Sequence, residues 1–143
     1  MFLLDTDHLV ILQRQVIPEW ERMRSRMLAY DASDFYLSVV SFHEQALGAH
    51  TFISRARGAK MLVRGYQMLE QCLIDFGRFN VVAFDGPAAR EFEALRAAGV
   101  RIGTMDLRIA AIARSHNMTV LTRNTVDSDR VPELAVADWT LPL

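Results

Sequence analysis

The chain has 143 residues, a formal net charge of −1, 51% hydrophobic residues and 23% charged ones. Such a chain buries a sizeable core, and we expect one soluble globular domain over residues 1–143. The near-zero charge excludes a global attraction to nucleic acid, so any such binding must be local.

No apolar run approaches the roughly 20 residues that a membrane span needs. The N-terminus also lacks the basic and apolar regions of a secretion signal. The single cysteine, Cys72, rules out an internal disulfide, suits a reducing cytoplasm and falls at the spacing of a helix core. Lys60 is the only lysine among the basic residues. The arginines suit a phosphate-rich substrate, although genome composition produces the same bias.

Met1 to Leu4 form an apolar run that breaks off in Asp5-Thr6-Asp7. This reads as a buried strand whose carboxyl end opens onto a polar crevice. Ligands of open α/β sheets sit outside the carboxyl ends of the strands. The first strand is therefore expected at the sheet's centre, with Asp5 pointing at the site.

Thr6 or Asp7 caps a helix through His8 to Leu12, and Pro18 opens a second helix, Glu19 to Tyr30. Phe35 to Val40, aromatic and β-branched, is a second strand. It feeds Ser41 as an N-cap, with Glu44 at capping-box spacing. Arg57 to Phe76 is a long helix whose stripe runs through Met61, Leu62, Gly65, Leu69, Cys72, Leu73 and Phe76. With the helix before it, it makes a helical hairpin.

Asn80 to Phe84 is a third strand, and Asp85-Gly86-Pro87 starts a helix that Gly99 closes. Gly103-Thr104 begins a helix ending near Asn117. Met118 to Leu121 is a fourth strand, followed by a polar turn from Thr122 to Asp127 and a short last strand at Val136. Strands alternating with helices predict a parallel, helix-covered sheet.

Four carboxylates stand where a strand ends or a helix begins: Asp5, Glu44, Asp106 and Asp127. In a parallel sheet these junctions share one edge, so acids distant in sequence converge there. Their mutual repulsion raises pKa values unless a cation neutralises it, which is how a magnesium or manganese site is made. Each acid also has a plainer role: Glu44 as a capping-box acid, Asp106 as a favourable charge on a helix dipole, Asp127 as a solvated turn residue. Asp5, directly abutting a buried strand, needs a partner most.

His8, His43, His50 and His116 lack the spacing of a zinc site, and there is neither a glycine-rich phosphate loop nor a nucleophile elbow.

Leu3-Leu4-Asp5-Thr6-Asp7, Leu37 to Glu44, Ile102 to Ala110, and Leu121 to Thr125 leading to Asp127 occur here in one order and spacing. Taken together, with a tail from Val131 through Trp139, they resemble PIN-domain ribonucleases, specifically the VapC-type toxins of bacterial toxin–antitoxin pairs. The resemblance covers nearly the whole chain. It implies a PIN-like three-layer fold with a central parallel sheet of four to five strands, flanked by helices and carrying a helical hairpin.

It also implies that Asp5, Glu44 and Asp106 hold Mg²⁺ or Mn²⁺ and that Asp127 corresponds to a fourth, more variable acid. The chain departs from many members by carrying Asn124 two residues after Thr122. The fourth ligand is then Asp127, the Asn124 amide oxygen, or water. Thr6 and Ser41 match hydroxyl positions that orient the acids, a role compatible with capping a helix.

The implied activity is metal-assisted endoribonuclease hydrolysis, with Arg108 and Arg123 the nearest candidates to hold flanking phosphates. A VapB-like antitoxin laid across the acidic groove is the implied inhibitor, and Ile11, Leu12 and Trp20 are candidates for that contact. A homodimer through helices flanking the sheet is implied as well.

Two other readings compete. Asp5-Thr6-Asp7 also looks like the start of a haloacid-dehalogenase-type phosphatase, with the first acid as nucleophile and the second as general acid. That family, however, has Thr or Val where this chain has Leu9, and a lysine near its site. The other is a catalytically inactive PIN-like module that binds RNA or a partner.

Overall fold

A computed structural model describes residues 1–143. In chain order its elements are β1 (Phe2–Leu4), α1 (Thr6–Arg14), α2 (Glu19–Met27), a 3-10 turn (Ala32–Asp34), β2 (Phe35–Ser38), α3 (Val39–Ser54) and α4 (Ala59–Gly77). Then follow β3 (Asn80–Val82), α5 (Gly86–Ala97), α6 (Thr104–His116), β4 (Thr119–Leu121), α7 (Thr125–Ser128) and β5 (Val136–Ala137). The five strands form one sheet in the order β3-β2-β1-β4-β5, with every pairing parallel. β1 is central, as its unbroken apolar run requires.

Period-2 alternation divides the core between two faces of the sheet. Leu3 and Val120 pack with Ile109, Ile112 and Ala88 under α5 and α6. Leu4, Leu37 and Leu121 pack with Leu9, Cys72 and Phe76 under α1 and α4. Leu3 and Leu4 are both 0% exposed, so β1 is covered on both sides and the fold has three layers. Cys72 lies in this core.

The helical hairpin is α3 against α4. Gly65 is its closest point, because a Cβ there would stand 2.6 Å from Ile53 Cγ1.

Several element ends differ from the sequence expectation, each for a local reason. The cap of α1 is Asp5, whose carboxylate accepts the Thr6 N–H at 2.8 Å; neither Thr6 nor Asp7 caps it. β2 ends at Ser38, and Ser38 caps α3 by accepting the Ser41 N–H at 3.0 Å. Ser41 is therefore inside the helix, and Glu44 is not the acid of a capping box. Val39 and Val40 are β-branched but helical, since Val40 fills the core under the sheet.

α2 stops at Met27, leaving Tyr30 free to stack on Trp139 at 5.7 Å. On α4 only Gly65, Cys72 and Phe76 of the expected stripe are buried, while Met61, Leu62 and Leu73 are exposed. No helix is long and apolar enough to cross a membrane.

Candidate active site

The carboxyl ends of β1 and β4 are adjacent, with Leu4 paired to Leu121, so the next residues, Asp5 and Thr122, meet. Asp5 N–H donates to Leu121 O at 2.9 Å, fixing the backbone from which the Asp5 side chain projects. Thr122, 0% exposed, donates its hydroxyl to Asp5 Oδ2 at 2.9 Å and lies 3.2 Å from Asp7 Oδ2. The Asn124 N–H donates to the same hydroxyl oxygen at 3.1 Å, which directs its proton toward the acids.

Asp7 accepts from Arg123 N–H at 2.9 Å and is 2.8 Å from His8 Nδ1. Sequence reasoning gave Asp7 no part in this cluster and read Thr122 only as the start of a polar turn. The signal for both was the equivalence of two neighbouring parallel strands ending one residue earlier.

Glu44 projects from α3 toward α1, where Thr6 Oγ1 donates to its Oε1 at 3.1 Å. The same hydroxyl lies 3.1 Å from Ser41 Oγ, which is fully buried. Thr6 therefore touches Glu44 directly, whereas Ser41 reaches only Thr6 and Ser38. Asp106 arrives from the first turn of α6. Its carboxylate folds back over the helix start, and a Cβ at position 103 would stand 3.1 Å from its Oδ2, so Gly103 makes room for it.

Asp127 is on the one-turn helix α7, where Asn124 caps the backbone: Asn124 Oδ1 accepts the Asp127 N–H at 3.4 Å, and its amide donates to Asp127 Oδ2 at 2.9 Å. The Asn124 oxygen is thereby engaged. Asp127 Oδ1 is 3.8 Å from an Arg130 guanidinium nitrogen. Asp127 stands at the rim, close enough to raise the pKa of Asp106 but outside the hydrogen-bonded group.

Of the two arginines singled out, Arg123 contributes its backbone N–H while its side chain is exposed. Arg108 lies over the Phe92 ring at 5.8 Å.

The electrostatics separate these acids. Burial, then the Asp7 charge, pushes Asp5 from 3.8 up to about 6. Burial also raises Glu44 and Asp106; the Asp106 charge adds to the first, and those of Asp127 and Asp7 to the second. Asp7 goes the other way: burial works upward, but His8 and the Arg123 N–H outweigh it and hold the carboxyl below its usual range. A carboxyl held below its usual range is a weaker proton donor than the general acid of the phosphatase reading needs.

No ion pair of the protein includes Asp5, Glu44 or Asp106. No three of the acidic, histidine or cysteine side chains close on one point at ligand distance. Oxygen donors with raised proton affinity and no paired cation nonetheless match a hard divalent ion that keeps several of its waters.

A family model described as PIN domain matches residues 3–134. The chain belongs to the PIN-domain family. The chain is similar to Toxin FitB of Neisseria gonorrhoeae, at 30% identity over 130 residues, covering 87% of this chain and 88% of FitB. Among solved structures, FitAB bound to a DNA fragment contains a chain 29% identical, with a TM-score of 0.72, covering 100% of this chain and 98% of that one. A crystal structure of FitAcB from Neisseria gonorrhoeae contains one 30% identical, with a TM-score of 0.69, covering 97% and 98%. The PIN-like architecture read in the sequence, a parallel sheet of four to five strands flanked by helices, is borne out, with five strands present.

Proposed function

We propose that this PIN-domain protein is a metal-dependent endoribonuclease and the toxin of a toxin–antitoxin pair. The observation that carries the reading is that Asp106 lies near enough to Asp5 and Glu44 for its charge to raise both, and that these three carboxyls have raised proton affinity and no ion-pair partner. Asp5, Glu44 and Asp106 would hold Mg²⁺ or Mn²⁺, with Asp127 at the rim as the fourth acid. When bound, the ion supplies charge neutralisation for the scissile phosphate and a water acidified toward neutral pH.

The chain's own residues orient that chemistry. Thr122 and the Thr6 N–H fix Asp5, and Thr6 fixes Glu44. Gly103 lets Asp106 reach the cluster. The exposed Arg123 guanidinium and Arg108 are candidates to hold flanking phosphates.

The toxin role rests on the likeness to a protein named Toxin FitB, and an antitoxin partner on the likeness to a chain of FitAB. A VapB-like antitoxin is the expected partner. Leu12 and Trp20 line an apolar groove of about 490 Å³ with Met27 and Phe35, and offer it a surface. Ile11 does not, being 4% exposed and part of the core. A homodimer, a cytoplasmic location and a single domain over residues 1–143 complete the reading.

The test is purified, partner-free protein on total RNA with Mg²⁺, with Mn²⁺ and with EDTA, beside Asp5→Asn and Asp106→Asn. Metal-dependent cleavage that falls at least about a hundredfold in both variants is expected, the scale of losing a charge-stabilising group. Folded wild type that binds RNA but leaves it intact under every metal condition would replace the enzyme by a binding module.

A further inference from the structure

His8 is 0% exposed, and a histidine sealed from water must satisfy both ring nitrogens within the protein. Its Nε2 receives the backbone N–H of Trp139 at 3.2 Å. A backbone amide only donates, so Nε2 accepts; the Asp138 carboxylate also faces Nε2, but at 3.7 Å it lies beyond hydrogen-bond distance. The ring proton therefore resides on Nδ1. There it faces Asp7 Oδ1, 2.8 Å away. The other oxygen of Asp7 is 3.2 Å from the Thr122 hydroxyl oxygen, whose single proton is shared between it and the nearer Asp5 Oδ2 at 2.9 Å. One chain of hydrogen bonds therefore runs from residue 139 to Asp5.

The far end of that chain is clamped. The Trp139 ring packs on Phe2 at 4.8 Å, Tyr30 at 5.7 Å and Phe35 at 5.9 Å. From α2, Arg26 donates to Asp138 O at 3.3 Å and Arg22 to Thr140 O at 3.1 Å. A loose tail would leave the His8 tautomer undetermined. This tail is fixed by rings on one side and guanidiniums on the other.

We propose that His8 is a positioning residue: set as the Nδ1-protonated tautomer by the segment from Asp138 to Thr140, it holds the Asp7 carboxylate and, through Thr122, orients Asp5. The inference rests on the nuclease reading, in which Asp5 holds the ion. Partners that orient ligands in this way typically contribute about 10- to 100-fold to metal affinity.

The experiment compares His8→Asn with His8→Phe. Asparagine keeps a donor near the Nδ1 position, while phenylalanine keeps the ring's bulk and loses the donor. Mn²⁺ affinity is measured by electron paramagnetic resonance, RNA cleavage in parallel, and the wild-type ring by nitrogen-15 NMR. Expected are a neutral, Nδ1-protonated ring, Mn²⁺ binding about tenfold weaker in His8→Phe, and near wild-type binding in His8→Asn.

A packing role reverses that order, so His8→Phe binding like wild type while His8→Asn fails would overturn the proposal, as would a proton on Nε2. Asp7→Ala, at a partly exposed position, covers the case in which buried variants do not fold: unchanged Mn²⁺ affinity there also overturns it. Wild type that neither binds Mn²⁺ nor cleaves RNA overturns the nuclease reading and the inference together. Wild type that does both, with His8→Phe unaltered, overturns the inference alone.

Discussion

Asp5 and Asp106 bring the same side chain to the same cluster, but Asp5 accepts from the Thr6 N–H and the Thr122 hydroxyl, whereas Asp106 rests against Gly103 with no donor. Both carboxyls are raised by burial and by neighbouring acids, and only for Asp5 do hydrogen bonds offset part of the rise. The sheet edge thus builds one wall of the site in advance. The first turn of α6 supplies a charge with neither a hydrogen-bond donor nor an ion-pair partner from the protein.

The largest effect that sharpens this contrast is on pH. Asp5 has a native pKa of about 6 against an ordinary 3.8, so the native state binds its proton more tightly than the unfolded chain does. Its contribution to stability is complete below the ordinary value and is lost as pH rises through about 6. Chemical denaturation of metal-free protein should show a loss of about 3 kcal/mol across that window, at roughly 1.4 kcal/mol per unit. Mg²⁺, competing with the proton, should return most of it.

Thr122→Val comes next. It removes a buried hydroxyl that serves Asp5, Asp7 and the Asn124 N–H, and urea unfolding should show a loss of about 2 kcal/mol. Asp106→Asn should act in the opposite direction, stabilising the metal-free protein, because it deletes a repelling charge and breaks no hydrogen bond. A loss of stability in Asp106→Asn would erase the distinction between the two walls. Smallest is Gly103→Ala, where the new methyl meets Asp106 Oδ2 at 3.1 Å. Stability should stay within about 0.5 kcal/mol, while titration shows Mn²⁺ binding weakened by displacement of the carboxylate.

Much of this was legible in the chain itself. The unbroken apolar run at Leu3-Leu4 placed β1 in the middle of a parallel sheet, with Asp5 directly after it at the strand's carboxyl end. What escaped was side-chain hydrogen bonding between elements. Nothing local to Thr122 says that Asp5, 117 positions away, takes its proton, since that follows from the register of β1 on β4. The Ser38 cap was hidden because Val39 and Val40 favour a strand, and core packing overrode that preference. Exposed Met61, Leu62 and Leu73 on α4 show the converse, an apolar stripe that the fold of one chain leaves uncovered.

The central position of β1 also governs when the site can assemble during synthesis. Its partner β4 is not synthesised until residues 119–121, so the first strand has only β2 beside it for most of translation. Long-range parallel pairings of this kind form late and slowly. A nascent chain holding Asp5, Glu44 and even Asp106 still lacks the strand that brings Thr122 to Asp5, so the site assembles only after residue 122 has been made.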